Sequence, residues 1–213
     1  MGLTFHKLIN INKFMKYNEI KKYIHTPVFS RQDLLLHGLT VYDYQLTLWV
    51  KKGYLLRLKN GLFAFAEYTQ KLKGEEVAYL IYQPSYISLE SALSYYGLIP
   101  EMIYSHISVT AKINRKFNNY FGHFIYRHIK KDLFWGYAVM QTENGFYLLA
   151  EPEKALLDYL YLNLSKIERR ADLDQIRFNK DQLKQHLDRS KFKEYVSAFN
   201  IKKLERWALQ CLP

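Results

Sequence analysis

The chain has 213 residues, 49% hydrophobic and 24% charged, the composition of a globular protein with room for one or two domains. No run approaches the ~20 apolar residues that span a bilayer, and Met1 to Lys16 shows neither a signal-peptide apolar core nor a small-residue cleavage site. Cys211 is the only cysteine, which excludes an internal disulfide and a cysteine-built metal site, so a cytoplasmic protein without a membrane partner is expected. The net charge of +11 is unevenly spread. Residues 1–66 hold ten Lys/Arg against three Asp/Glu, residues 67–164 nine against ten, and residues 165–213 twelve against seven. Basic ends flanking a neutral middle favour a polyanionic partner, a property shared by DNA-, RNA- and membrane-surface binders.

Residues 1–16 read as an N-terminal extension. From Tyr17, apolar residues at Tyr17, Ile20, Tyr23 and Ile24 predict a helix, which Pro27 stops. Ser30 is a natural N-cap, and Asp33 completes a capping box for a second helix over residues 31–37, closed by Gly38. Thr40 opens a third helix with Asp43 at the matching position, and Gly53 ends it. Two short helices with a Gly-containing connection predict a helix-turn-helix. In the third helix Tyr42, Leu46, Trp49 and Val50 share the core-facing stripe. The opposite face carries Tyr44, Thr47, Leu48 and Lys51, with Gln45 and Lys52 at its edge. Hydroxyl, amide and ammonium groups suit phosphate oxygens and base edges in a major groove. Leu48 is the misfit there: it touches a thymine methyl, packs under neighbouring structure, or signals a rotated face.

After Gly53, two apolar runs flank Asn60-Gly61. That pair predicts a hairpin over residues 54–65, with positive φ expected at both turn positions. Such a hairpin is the wing of a winged helix, presenting Arg57, Lys59 and Asn60 to a phosphate or minor groove. The candidate DNA-binding residues are therefore Tyr44, Gln45, Thr47 and Lys51 at the groove, with Ser30, Arg31, Lys52, Arg57, Lys59 and Asn60 near phosphates. The plainer alternative is a winged helix that binds only protein.

Beyond a polar connection, helices are predicted over 74–82 and 88–96. Strands are predicted at 107–110, 123–128, 133–141 and 146–150, the last two joined through Asn144-Gly145. Pro152 and Glu153 suit the first turn of another helix, whose core face holds Ala155, Leu156, Tyr159 and Leu160. The remainder is basic and helical. The expected fold class is α+β: a winged helix-turn-helix over 17–66, then a mixed α/β domain over 74–213. That second domain would hold a small, mainly antiparallel sheet and a basic helical tail from about residue 165.

Several segments resemble the AbiEi family, the antitoxin half of abortive-infection toxin–antitoxin systems, over roughly residues 17–165. They are Tyr86-Ile-Ser-Leu-Glu-Ser-Ala-Leu-Ser-Tyr-Tyr-Gly-Leu-Ile-Pro100, Ile107-Ser-Val-Thr110, and Phe124-Ile-Tyr-Arg-His-Ile-Lys-Lys-Asp-Leu-Phe-Trp-Gly136. The most specific is Ala150-Glu-Pro-Glu-Lys-Ala-Leu-Leu-Asp158. Trp49-Val-Lys-Lys-Gly-Tyr-Leu and Asn60-Gly-Leu-Phe sit where the family has its third helix and wing. The resemblance implies a repressor of its own operon that binds operator DNA and neutralises a nucleotidyltransferase-like toxin. A protein partner is then expected around Arg127, Lys130, Lys131 and the basic tail.

No cofactor or catalytic site is expected. The sequence has no phosphate loop, His-Glu-x-x-His or Gly-x-Ser-x-Gly motif. His123 and His128, five apart on one strand, face opposite sides. Glu151, Glu153, Lys154 and Asp158 read as helix-start electrostatics plus a surface Lys154–Asp158 pair. Asp172-Leu-Asp174 has the spacing of a nucleotidyltransferase metal pair but lacks its Gly-Ser loop and third carboxylate, leaving an enzyme the least favoured alternative. Phe124, Tyr126 and Trp135 suit core or interface packing better than base stacking.

Overall fold

A computed structural model describes residues 15–212, so the N-terminal extension falls almost wholly outside the described residues. The architecture is mixed, with helices and sheets, and contacts divide the chain into two units between Thr69 and Gln70.

The first unit runs through α1 (Tyr17–Ile20), β1 (Val28–Ser30), α2 (Arg31–Leu36), α3 (Asp43–Lys51), β2 (Leu55–Lys59) and β3 (Leu62–Phe65). Its antiparallel sheet has the order β1-β3-β2. Ile20, Ile24, Phe29, Leu34, Leu46, Trp49, Leu55, Phe63 and Phe65 make one core. α2 starts where Ser30 places it, because the Ser30 hydroxyl accepts the Asp33 N–H at 3.2 Å and Asp33 accepts the Ser30 N–H at 2.6 Å. α1 is shorter than its apolar spacing predicts. It ends at Ile20, so Tyr23 lies in a turn and is half exposed rather than in the core.

The second unit contains α4 (Gly74–Ile81), β4 (Ser85–Ile87), α5 (Leu89–Tyr95), β5 (Ser105–Thr110), β6 (Arg115–Asn119) and β7 (Gly122–His128). It continues with β8 (Tyr137–Gln141), β9 (Phe146–Ala150), α6 (Pro152–Leu162), α7 (Arg170–Asp174), α8 (Lys180–His186), α9 (Arg189–Phe199) and α10 (Lys202–Cys211). The six-stranded sheet has the order β6-β7-β5-β4-β9-β8. Neighbours are antiparallel at β6/β7, β5/β4 and β9/β8, and parallel at β7/β5 and β4/β9. Two of these strands carry no sequence signal. β4 is a three-residue central strand with no alternation, and β6 is a polar edge strand. The strand predicted from residue 133 starts only at Tyr137, because a 3₁₀ turn covers Lys131–Leu133 and Gly136 takes φ +74°.

Register assigns the two sheet faces. Tyr86 lies opposite Val109, and Val109 beside Arg127, so Tyr86 and Tyr126 point to opposite sides. On one side the Tyr126 hydroxyl donates to the Ala78 carbonyl of α4. On the other, the Tyr86 hydroxyl reaches Asp158 of α6. Phe124 and Tyr126 are buried, and Trp135 packs edge-on against Tyr195 and Phe199, so these aromatics fill core.

The Lys154–Asp158 pair overturns its surface reading: both side chains are fully buried. The Lys154 ammonium bonds the Asp158 carboxylate, donates to the Tyr86 hydroxyl at 2.8 Å, and lies 5.1 Å from the Trp135 and Phe199 ring centroids. Asp158 also accepts from the Tyr86 and Ser88 hydroxyls at 2.9 and 2.8 Å. Spacing of i, i+4 is the same for a surface pair and a core pair. What buries this one is α6 lying between the sheet and α9/α10.

Glu151 and Glu153 tie α6 to α9 rather than only tuning its helix end. Glu151 binds the Lys191 ammonium at 2.8 Å and the Tyr195 hydroxyl, and buried Glu153 accepts the Asp188 N–H at 2.7 Å. Burial raises the Glu151 carboxyl, but the hydrogen bonds from Lys191 and Tyr195 outweigh it and hold the group below its usual range.

His106 of β5 stacks on Phe124 with centroids 5.1 Å apart and has Glu75 at 3.8 Å. Burial lowers its pKa below the ordinary 6.5 despite that carboxylate. The unfolded chain then takes up this proton at higher pH than the folded chain. Stability should therefore fall as pH drops below about 6.5 and level off beneath the folded value. Denaturant midpoints across this range should show the decline, and His106→Gln should flatten it.

Candidate functional site

The first unit holds every candidate DNA-binding residue, and the structure sorts them. In α3, Leu46 and Trp49 face the core while Tyr44, Leu48 and Lys51 are exposed and Thr47 is half-buried; Lys52, the C-cap, is exposed. Residues 44, 47, 48 and 51 recur at helical spacing, so they form one outward stripe. Leu48 stays on that stripe, 42% exposed, so the face is not rotated. The Tyr42 and Tyr44 rings stack at its N-terminal end, with centroids 5.9 Å apart.

Two assignments on this helix are corrected. Tyr42, expected in the core, is the N-cap with an extended backbone and is 48% exposed. The helix starts at Asp43 rather than near Thr40, so Tyr42 falls outside its period. Gln45, expected at the groove, is buried instead, 6% exposed. Its Oε1 accepts the Tyr42 N–H at 3.0 Å and its Nε2 donates to the Met15 carbonyl at 2.9 Å. An amide used in this way caps the helix and holds the preceding chain, so it is unavailable to a base.

The hairpin reaches the outward stripe through Arg57. Its guanidinium donates to the Thr47 hydroxyl at 3.3 Å and lies 5.7 Å from the Phe63 ring centroid. This contact puts a cation beside the middle of α3. The turn differs in detail from the one predicted. Gly61 takes φ +76° but Asn60 does not take positive φ, and the β2/β3 register slips by one between Arg57 and Lys59. That combination is a turn with a bulge, which adds twist to the hairpin just before its tip at Lys59 and Asn60. Asn60 is exposed and Lys59 half-buried.

Ser30 and Arg31 are already engaged. The Ser30 hydroxyl belongs to the α2 cap, and Arg31 pairs with Asp43 at 2.5 Å on the surface. The Arg31 N–H donates to the Gly61 carbonyl at 3.1 Å, fastening the start of α2 to the hairpin turn. Thus Thr47, Lys51 and Arg57 lie on or against one face, while Ser30 and Arg31 gather at the turn.

No family model matches this chain, and no curated protein does.

Arg127, Lys130 and Lys131, the residues expected to meet a protein partner, lie in the second unit, the first half-buried and the others exposed. Asp172 and Asp174 do not converge on a third carboxylate. Asp172 accepts the Glu168 and Arg169 N–H groups at 3.0 and 2.9 Å, and Asp174 pairs with Arg170 at 2.9 Å. Among the described residues, no group of three or more His, Cys, Asp or Glu side chains is placed to hold a metal ion. His123 sits by Asn118 and His128 by the Lys112 carbonyl, each with its own partner. Burial pushes the Cys211 thiol up to about 12, which keeps it protonated at neutral pH. Among the described residues no helix is long and apolar enough to cross a membrane.

Proposed function

We propose that this chain is a sequence-specific DNA-binding regulator whose first unit works as a winged helix. The outward stripe of α3 enters the major groove. Tyr44, Thr47, Leu48 and Lys51 meet base edges or methyls, and Lys52 meets a phosphate. Arg57, Lys59 and Asn60 on the hairpin engage the adjacent backbone, with Arg31 beside the turn. The observation that supports this best is the Arg57–Thr47 contact, which joins the hairpin's cation to the polar face of the helix. The excess of cations in residues 1–66 supplies the electrostatic attraction.

Fluorescence anisotropy with a duplex covering the promoter of the chain's own gene tests the proposal. Binding should weaken about 5- to 150-fold on Lys51→Ala if the ammonium contacts a base, and less if it contacts only phosphate. Log K should fall with log salt at a slope of roughly −0.9 per phosphate contacted. A salt-insensitive complex, or none, would leave a unit that docks protein through the same face.

A further inference from the structure

Residues 102–131 of the second unit contain six Lys/Arg and neither Asp nor Glu. They form β5, β6 and β7, one edge of the six-stranded sheet. Register gathers the cations at one end of that edge. Arg115 opens β6 opposite Tyr126, so Arg127 and the chain beyond it extend past the start of β6. The His128 N–H donates to Asn114 Oδ1 at 2.6 Å, and His128 Nδ1 lies 2.9 Å from the Lys112 carbonyl oxygen. Arg115, Lys116 and Arg127 therefore meet where β6 begins and β7 ends, with Lys112, Lys130 and Lys131 on the chain just past β5 and β7. An open cleft of about 700 Å³ lies there, lined by Asn114, Arg115, Lys116, Ile125, Tyr126 and Arg127, with no carboxylate.

Lys112 is engaged, 5.6 Å from the Tyr82 ring centroid. Among the described residues Arg115, Lys116, Arg127, Lys130 and Lys131 form no ion pair. Charge on an edge strand commonly blocks sheet-to-sheet association. That explanation covers Arg115 and Lys116 but not Arg127, Lys130 and Lys131, which lie on or after the neighbouring strand β7.

We propose that this end of the sheet binds the sugar–phosphate backbone of nucleic acid independently of sequence, as a contact additional to that of α3. Several cations around a cleft lined by no carboxylate, with Asp132 the nearest acid along the chain, suit successive phosphates of a polymer. A protein interface would instead be centred on apolar or aromatic anchors and depleted of lysine. At the cleft, Ile125 is only half-buried and Tyr126 is committed to α4.

The test uses the full chain carrying R115Q/K116Q/K130Q/K131Q, with an unchanged thermal melt confirming the fold. Binding to a random-sequence 30-base-pair duplex is followed by anisotropy over a salt series. The slope of log K against log salt should become shallower by about 2–4, with roughly tenfold or greater weakening near 0.1 M salt. Unchanged slope and affinity would overturn the proposal. So would poly-L-glutamate of matched charge competing as well as the duplex, which would assign the surface to an acidic protein. Lys51→Ala, run on promoter DNA beside it, keeps the two readings separate. If only Lys51→Ala acts, the α3 reading stands and this one falls. If only the quadruple variant acts, the reverse holds.

Discussion

Replacing Lys154 with alanine should cost the second unit about 3–5 kcal/mol, the usual penalty for removing one member of a buried ion pair. The Asp158 carboxylate would keep the Tyr86 and Ser88 hydroxyls as donors but lose the cation that pairs with it. Burial already pushes the Asp158 carboxyl above its usual range and the Lys154 ammonium below its own, so each charge depends on the other. Truncation also removes packing. The Lys154 methylenes fill the space over Gly136, where an added Cβ would sit 3.0 Å from them. Lys154→Met separates the two effects, because it keeps most of the volume and removes only the charge. If the unpaired carboxylate dominates, Lys154→Met should remain nearly as damaging as alanine, and adding Asp158→Asn should restore a large part of the loss. Amide exchange of β9 and α6 peptides reads the local free energy directly. A Lys154→Ala loss below about 1 kcal/mol would show that the pair is not what holds α6 in place.

The elements legible in the sequence are those whose cause is local. Ser30 with Asp33 marks the start of α2, Pro152 the start of α6, and the apolar stripe of α3 places Leu46 and Trp49 inside. Each is settled within about one helical turn of chain. The misreadings share the opposite property. Gln45 is taken inward by the Met15 carbonyl, 30 residues away. Lys154 is buried by rings at Tyr86, Trp135 and Phe199, contributed by three separate segments. β4 exists because β5 and β9 flank it, not because Ser85-Tyr-Ile has strand periodicity. Counted over residues 67–164 the charge is nearly neutral, and only strand register shows that Arg115, Lys116 and Arg127 within it meet at one end of a sheet. The Arg57–Thr47 contact was half legible: helix face and hairpin could each be read alone, but not the approach of one to the other.

Trp49→Ala should remove about 3–5 kcal/mol from the first unit, the range for truncating a large buried aromatic. The indole is 6% exposed and meets Tyr17 edge-on at 5.9 Å, so it joins α3 to α1 within a single small core. A domain near 60 residues buries only about 60% of its unfolded surface and has little stability in reserve. The substitution should therefore leave the unit largely unfolded at 25 °C. Amide protection over residues 43–65 should be lost, and the proposed promoter binding with it. The neighbouring Leu48→Ala provides the contrast. Leu48 is 42% exposed on the outward stripe, so its loss should change stability by no more than about 0.5 kcal/mol. If Leu48 meets a thymine methyl, promoter affinity should nonetheless fall while protection stays intact. Loss of binding without loss of protection places a residue at the DNA, whereas joint loss places it in the core that holds the helix. A Trp49→Ala chain that keeps its protection would mean that α3 is held by something other than this indole.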